Sequence, residues 1–386
     1  MGIIELLYFD AGGGHRSAAV ALEAVLEREG LWKTQLTSLQ RILDPIDPVR
    51  RLTGTRLEDL YNLLLRRGWT RGSEQMLTPL HAAIRRYHPE AVGLLAEHWR
   101  ETRPDLVVSV VPQFNRAICE SLHRVSPETP LVTILTDFAD FPPHFWIEPP
   151  PDELGQFYIC GTERAAEQAV ALGVPSERVL RTSGMIVHPR FYEAPPVDRA
   201  RERGRLGLGA SLPTGLVLFG GHGSKVMGEI AERLDESKVE LQLILMCGRN
   251  RDLEDELRRT RARHPRYIEG FTTDVPYYMQ LADFFIGKPG PGSVSEALLM
   301  HLPVIVERNA RTMPQERYNV EWVREKGVGM AVKDFGREIA GAVEQLLRPG
   351  MLESYRQRAA ALENGAVFEI PALLREIRAR YATAVA

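Results

Sequence analysis

The sequence predicts an α/β protein made of two doubly wound domains, and three observations carry that prediction. Short apolar runs alternate with longer stretches of helical periodicity, the pattern of a parallel sheet covered by helices on both faces. Each half of the chain places a glycine loop directly after its first strand-like run, DAGGGH at 10–15 and GGHGSK at 220–225. Between the halves, residues 188–213 have the proline, charge and glycine content of a linker. The expected division is 1–195 with a returning C-terminal helix at 368–386, and 196–367.

Taken in order, residues 3–9 read as a buried strand. Residues 16–29 read as a helix with Leu22, Val25 and Leu26 on one face and Gly30 ending it. Strand 34–39 follows. The segment 50–69, RRLTGTRLEDLYNLLLRRGW, sets Leu57, Leu60, Tyr61, Leu64 and Trp69 beside arginines. It fits a helix lying on an anionic bilayer and equally one packed on its own domain. After a helix at 87–99, strands at 105–112, 131–138, 157–161 and 179–183 alternate with helical segments. The loop TDFADFPPHFWIEPPPDE at 136–153 leaves the carboxyl end of a strand, where open α/β sheets bind ligands, which makes Asp137, His144 and Trp146 candidates. The second half repeats the pattern with strands at 215–219, 239–247 and 284–287, and the last helix is expected at about 370–381.

The strongest local signal is FIGKPGPGSVSEALLMHLPVIVE at 285–307, a strand running through a glycine turn into a helix. Gly290 and Gly292 allow close approach, and a helix opening at Ser293 presents N–H groups suited to an anion. Ser293 and Glu296 also have capping-box spacing, so Glu296 fits either a helix cap or a ligand contact. DAGGGHRS is neither a dinucleotide fingerprint nor a P-loop: it lacks the third glycine of GxGxxG and has no Gly-Lys-Ser/Thr. It remains a loop that brings His15 to a helix mouth.

Composition narrows the setting. A chain of 386 residues, 44% hydrophobic, can bury large cores; a net charge of -3 gives no global attraction to nucleic acid. Three cysteines without CxxC spacing read as buried thiols of a reducing compartment. The amino terminus lacks the basic n-region of a signal peptide and no run is long enough to span a bilayer, so a cytoplasmic protein, at most peripheral on the inner face of the plasma membrane, is expected.

The order of LILMCGRN (243–250), EGFTTDVPYYMQLAD (269–283), the 285–307 motif and MPQERYNVEWVREKGVG (313–329) resembles the nucleotide-sugar domain of GT-B glycosyltransferases. The likeness is nearest to monogalactosyldiacylglycerol synthases and diacylglycerol glucosyltransferases, and more distant to the peptidoglycan N-acetylglucosaminyltransferase. The resemblance implies two Rossmann-like domains facing across a cleft, and an inverting transfer of galactose or glucose from a UDP-sugar to a lipid acceptor, diacylglycerol in that family. It implies that Glu296 binds the ribose hydroxyls. It also implies that Gln315, Glu316 and Asn319 reach the sugar, although Pro314 stands where the family has glycine.

Glycosyl transfer needs a grip on the nucleotide, compensation of the leaving diphosphate and a base. Gly221, Gly223, Arg249, Gly290, Gly292 and Ser293 are candidates for the diphosphate. His15 and Asp137 are candidates for the base, His15 serving equally well as a phosphate contact, and Gly13, Gly14, His144 and Trp146 fall on the acceptor side. Asp137 and Asp140 do not form an Asp-x-Asp metal signature, so no metal and no cofactor beyond the donor substrate is expected. The partners expected are a UDP-sugar, a lipid acceptor and an anionic membrane surface. A UDP-N-acetylglucosamine 2-epimerase or a non-catalytic nucleotide-sugar-binding protein are the alternatives.

Overall fold

The computed structural model describes residues 2–10, 13–66, 73–141, 144–148 and 155–385. The chain divides into two compact units. One comprises Met1–Leu63, Gly72–Pro189 and Asn364–Ala386, the other Leu64–Arg71 and Arg190–Glu363.

The first unit holds strands β1 (Gly2–Tyr8), β2 (Trp32–Ser38), β3 (Leu106–Ser109), β4 (Leu131–Ile134), β5 (Gln156–Cys160) and β6 (Val179–Arg181). All pair in parallel in the order β2-β1-β3-β4-β5-β6. The strand direction of travel reverses between β1 and β3, so the loop after β1 opens at a switch point, the usual ligand position in open sheets. Helix Gly14–Glu29 buries Leu22 and Leu26 on this sheet and ends at Gly30 in the left-handed conformation. The C-terminal helix, Ala366–Val385, packs Ile370, Leu374 and Ile377 into the same core.

The second unit holds β7 (Thr214–Leu218), β8 (Gln242–Met246), β9 (Arg266–Glu269), β10 (Phe284–Gly287), β11 (Val304–Glu307) and β12 (Gly329–Val332). They are again parallel, in the order β12-β11-β10-β7-β8-β9. Here the switch lies between β7 and β10, the two strands that run into the glycine loops. The core is aliphatic, with Leu243, Leu245, Phe284 and Ile286 fully buried against Ile230, Leu234, Ile339 and Val343 from the flanking helices. The three cysteines are free and buried. No described helix is long and apolar enough to cross a membrane.

Two sequence expectations need correction. Residues 50–66 are not one helix: Pro48–Thr53 ends at Gly54 (φ 74°), and a second helix, Leu57–Arg66, begins three residues later. Asp47 makes the break, one carboxylate oxygen accepting the N–H groups of Val49 and Arg50 at 2.9 and 3.1 Å and the other that of Leu57 at 2.9 Å. Arg50 and Arg56 both pair with Asp44, so part of the cationic flank is neutralised internally. Residues 67–72, including Trp69, lie outside the described residues.

The stretch 188–213 is likewise no loose linker. It contains the helix Arg199–Arg205, whose Arg203 is buried and donates to Leu281 O, Ala210 O and Asp283 Oδ2. Arg199 and Arg356 converge on the same carboxylate at 2.6 and 3.4 Å. Burial alone would raise the Asp283 pKa, yet Arg203 and Arg199 hold it below the usual carboxylate range. A group so lowered stabilises the fold above its unfolded pKa and loses that contribution as pH falls through its folded value. Replacing Asp283 by Ala leaves Arg203 buried without its counter-charge, and at pH 7 this should cost about 3 kcal/mol. The check is a thermal melt; a Tm within a degree of the wild type would remove the cluster from the stabilising core.

Candidate active site

In the second unit, the loop after β7 turns twice through left-handed backbone, at Gly220 (φ 71°) and Gly223 (φ 61°), which side chains with a Cβ rarely adopt. The loop after β8 joins it, the Arg249 N–H donating to Gly221 O at 2.9 Å. The Arg249 guanidinium lies 3.9 Å over the ring of Phe271, which is 51% exposed at the end of β9. An exposed aromatic plane and a cation thus flank the glycine loop. The sequence reading missed Phe271; its signal is an aromatic residue immediately after Glu269-Gly270 at a strand end.

The loop after β10 corrects the capping-box expectation. The helix starts at Pro291 rather than Ser293, with Gly290 at the N-cap and no side-chain cap. Proline is favoured at a first helical position because it has no N–H to satisfy there. Ser293 therefore sits inside the first turn, its Oγ donating to Gly290 O at 3.3 Å, and Glu296 lies a turn further on, with no capping bond. Gly292 is exposed and has open space where a Cβ would stand, so packing within the protein does not demand glycine there. First-turn N–H groups lack intrahelical acceptors and favour an anion. Burial pushes the Glu296 carboxyl up to about 7, against the pull of Arg190.

Gln315 and Glu316 belong to a short 3-10 turn, Pro314–Glu316, with Pro314 at its start. The proline that replaces the family's glycine is accommodated because that position again needs no N–H. Gln315 is half-buried. Glu316 is buried and ion-paired with Lys288 Nζ at 3.0 Å. Asn319 is fully buried, donating Nδ2–H to Pro289 O at 2.8 Å, while its Oδ1 has no hydrogen-bond partner. Glu316 and Asn319 thus brace the 288–290 loop from behind.

In the first unit, Gly13 (φ 83°) caps helix Gly14–Glu29, placing exposed Gly14 and half-buried His15 in its first turn; residues 11 and 12 lie outside the described residues. His15 Nδ1 lies 3.3 Å from Thr136 Oγ1, and its ring centroid is 5.6 Å from that of Trp146. Trp146 is fully buried and donates Nε1–H to Asp137 Oδ2 at 2.8 Å; Asp137 itself is 5% exposed. Trp146 is therefore a wall behind His15, not an open acceptor surface. Asp137 is tied to that wall, which makes it a weaker base candidate than His15.

Asp140, which sequence reasoning considered only for metal binding, organises this loop. Its carboxylate accepts the N–H groups of His144 and Trp146 at 2.9 and 2.7 Å, and its backbone is bonded in both directions by Gln168. His144 is exposed, in left-handed backbone (φ 67°), with Nδ1 3.3 Å from Ile147 O. An aspartate shortly before a proline pair is a recognisable loop-organising signal.

Residues 216–369 match the glycosyltransferase family 28 C-terminal domain. The chain is 27% identical over 363 residues to the probable chloroplastic monogalactosyldiacylglycerol synthase of Nicotiana tabacum, covering 89% of this chain and 64% of that protein. The chain thus spans just under two thirds of that relative's length. The chain has the GT-B fold, and residues 216–369 are of the glycosyltransferase family 28 C-terminal type. Among solved structures, the chain is similar to Acinetobacter baumannii MurG, with a TM-score of 0.62 at 12% identity over 97% of this chain and 99% of that one. It is also similar to Anabaena Alr3699/HepE in complex with UDP-glucose, with a TM-score of 0.52 at 15% identity over 100% of this chain and 99% of that one.

Glu296 offers a test of the second unit by itself. A carboxyl whose pKa is raised by folding stabilises the protein while protonated, and that contribution is lost as pH rises through about 7. Glu296→Gln should therefore not lower the Tm at pH 8, whereas loss of a helix cap would. If the carboxylate accepts ligand hydroxyls, wild-type affinity for UDP should rise between pH 6 and pH 8. The variant should bind at least about tenfold more weakly at pH 8, with that pH dependence gone. Calorimetry decides; unchanged UDP affinity in the variant sinks the ligand role.

Proposed function

We propose that this protein transfers a hexose, galactose or glucose, from a UDP-sugar to diacylglycerol with inversion at the anomeric carbon. The observation that carries the donor side is the half-buried Glu296 carboxyl one turn inside a helix whose uncapped start carries the open Gly292. In this reading Glu296 accepts the ribose hydroxyls, Phe271 stacks on the base, and Gln315 reaches the sugar. The diphosphate is met by the first-turn N–H groups at Gly292 and Ser293, by the loop of Gly221 and Gly223, and by Arg249. These groups are in place before charge develops on the leaving UDP, so they supply the compensation without a metal.

On the acceptor side, His15 is the base. With Nδ1–H donating to the Thr136 hydroxyl, Nε2 keeps its lone pair for the acceptor's proton. The acceptor oxygen then attacks the anomeric carbon as the bond to UDP breaks, and a single displacement of this kind inverts configuration. Trp146 and Asp137 hold the imidazole's back wall, and Gly13, Gly14 and His144 border the acceptor. The similarity to a monogalactosyldiacylglycerol synthase over most of the chain favours this reading over an epimerase, since an epimerase needs no acceptor.

Replacing His15 by Ala should lower kcat by about 10² or more and leave UDP affinity nearly unchanged. A raised donor KM with little change in kcat would make the imidazole a phosphate contact instead. The enzyme is further proposed to act as a peripheral protein on an anionic membrane, docking through the helix Pro48–Thr53, where Leu52 is 87% exposed beside Arg51. Leu52→Asp should reduce sedimentation with anionic vesicles severalfold and leave UDP binding intact. Equal sedimentation of both proteins would place the contact elsewhere.

A further inference from the structure

The first unit contains a cavity of about 730 Å³ that the proposed chemistry does not use. Its apolar wall comes from Leu43, Ile46, Leu57, Leu80, Ile84 and Phe114. This volume falls within the range of sites that hold small ligands.

The loop that carries Trp146 separates this cavity from His15. On one side Trp146 packs 5.6 Å from the His15 ring; on the other, His144 and Glu148 line the cavity. The loop is fixed from the cavity side as well, Gln113 N–H donating to Phe145 O at 2.7 Å and Asn115 Nδ2–H to Trp146 O at 3.0 Å. The cavity therefore lies across this loop from His15.

Several of its polar wall groups have partners within the fold. Asp47 accepts from Gln40 Nε2 at 2.8 Å and from Leu57 N–H. Glu120 pairs with His88 at 2.6 Å and with Arg116 at 2.8 Å. Burial pushes the Glu148 carboxyl up to about 8, so it is mostly uncharged at neutral pH. With His88 and Arg116 paired and Glu148 uncharged, much of the wall's charge is met and its apolar residues suit a neutral hydrocarbon, while exposed Arg85, which also lines the cavity, is the cation an anionic headgroup would reach. The helices that supply Pro48 and Leu57 to the wall also carry the exposed Leu52 and Leu63.

We propose that this cavity is a hydrocarbon subsite that takes one acyl chain of the lipid acceptor and so presents the glycerol hydroxyl at the loop beside His15. The proposal rests on the lipid-transferase reading above, deepens it, and is tested separately from it. A diacylglycerol with a diazirine in mid-chain, in detergent micelles, should cross-link to peptides spanning 77–91 and 113–117 of the full-length protein. Ala83→Trp fills the cavity, because Ala83 lines it, and should cut that labelling at least tenfold; Ala82→Trp, on the exposed side of the same helix, should not.

Each buried methylene is worth about fourfold in affinity, so Ala83→Trp should also raise the acceptor KM at least tenfold for dipalmitoylglycerol and leave dihexanoylglycerol nearly unaffected. Labelling of these peptides in a protein that transfers no sugar would uphold the subsite and sink the transferase reading. Sugar transfer with labelling elsewhere, or with equal loss for both chain lengths, would sink the subsite alone. Displacement of the probe by phosphatidylglycerol at tenfold lower concentration than by diacylglycerol would also overturn it, in favour of an anionic ligand. If Ala83→Trp does not fold, the cross-link map of the wild type decides.

Discussion

The constraint on which the second unit depends is the parallel pairing of β7 with β10, the two strands at which the sheet order reverses. Gly287 pairs with Leu218 in that register, and a Cβ at Gly287 would press on the Leu218 carbonyl at 2.5 Å. Strand contact at the end of the pairing is therefore as close as backbone allows. The chain leaves the two strands toward opposite faces of the sheet, which opens a crevice between the following loops. Everything assigned to the donor is placed by that geometry: the Gly220 turn after β7, the Pro291 helix after β10, and Arg249 bonded to the first of these through its own N–H.

Around these loops the protein spends many polar side chains on positioning. Asn319 holds Pro289, Lys288 and Glu316 neutralise each other, and Asp140 collects two N–H groups of the loop that carries Trp146. Such groups are buried, and a buried polar atom left without a partner costs more than the bond itself contributes. Their arrangement leaves the loops little freedom. A site that stabilises developing charge needs such preorganisation, because groups that must first reorient lose much of their benefit.

The cationic residues show the same economy. The segment before β7 is fastened by Arg199 and Arg203 to Asp283, and Arg50 and Arg56 share Asp44. Both segments look mobile or membrane-seeking in sequence because arginine is abundant in each. Part of their charge is spent within the fold, so net charge along a segment overstates what it offers to a partner. The apolar surface that remains, Leu52 above all, is the better guide to what that region docks against.

The sequence by itself determined the alternation of strands and helices, the two glycine loops and the strand, turn and helix at 285–307. Those features are local: side-chain periodicity sets the element type, and glycine and proline set the turns within a few residues. The resemblance carried by these motifs also sufficed for the family. What only the tertiary structure decided is which of the motif residues are held by partners within the fold. Asp137 is spent on Trp146 nine residues away, Lys288 on Glu316 at 28 and Asn319 on Pro289 at 30. The role of a polar side chain depends on whether a partner reaches it when both are buried. Strand order and loop path settle that, and neither is written in the spacing of the motif itself.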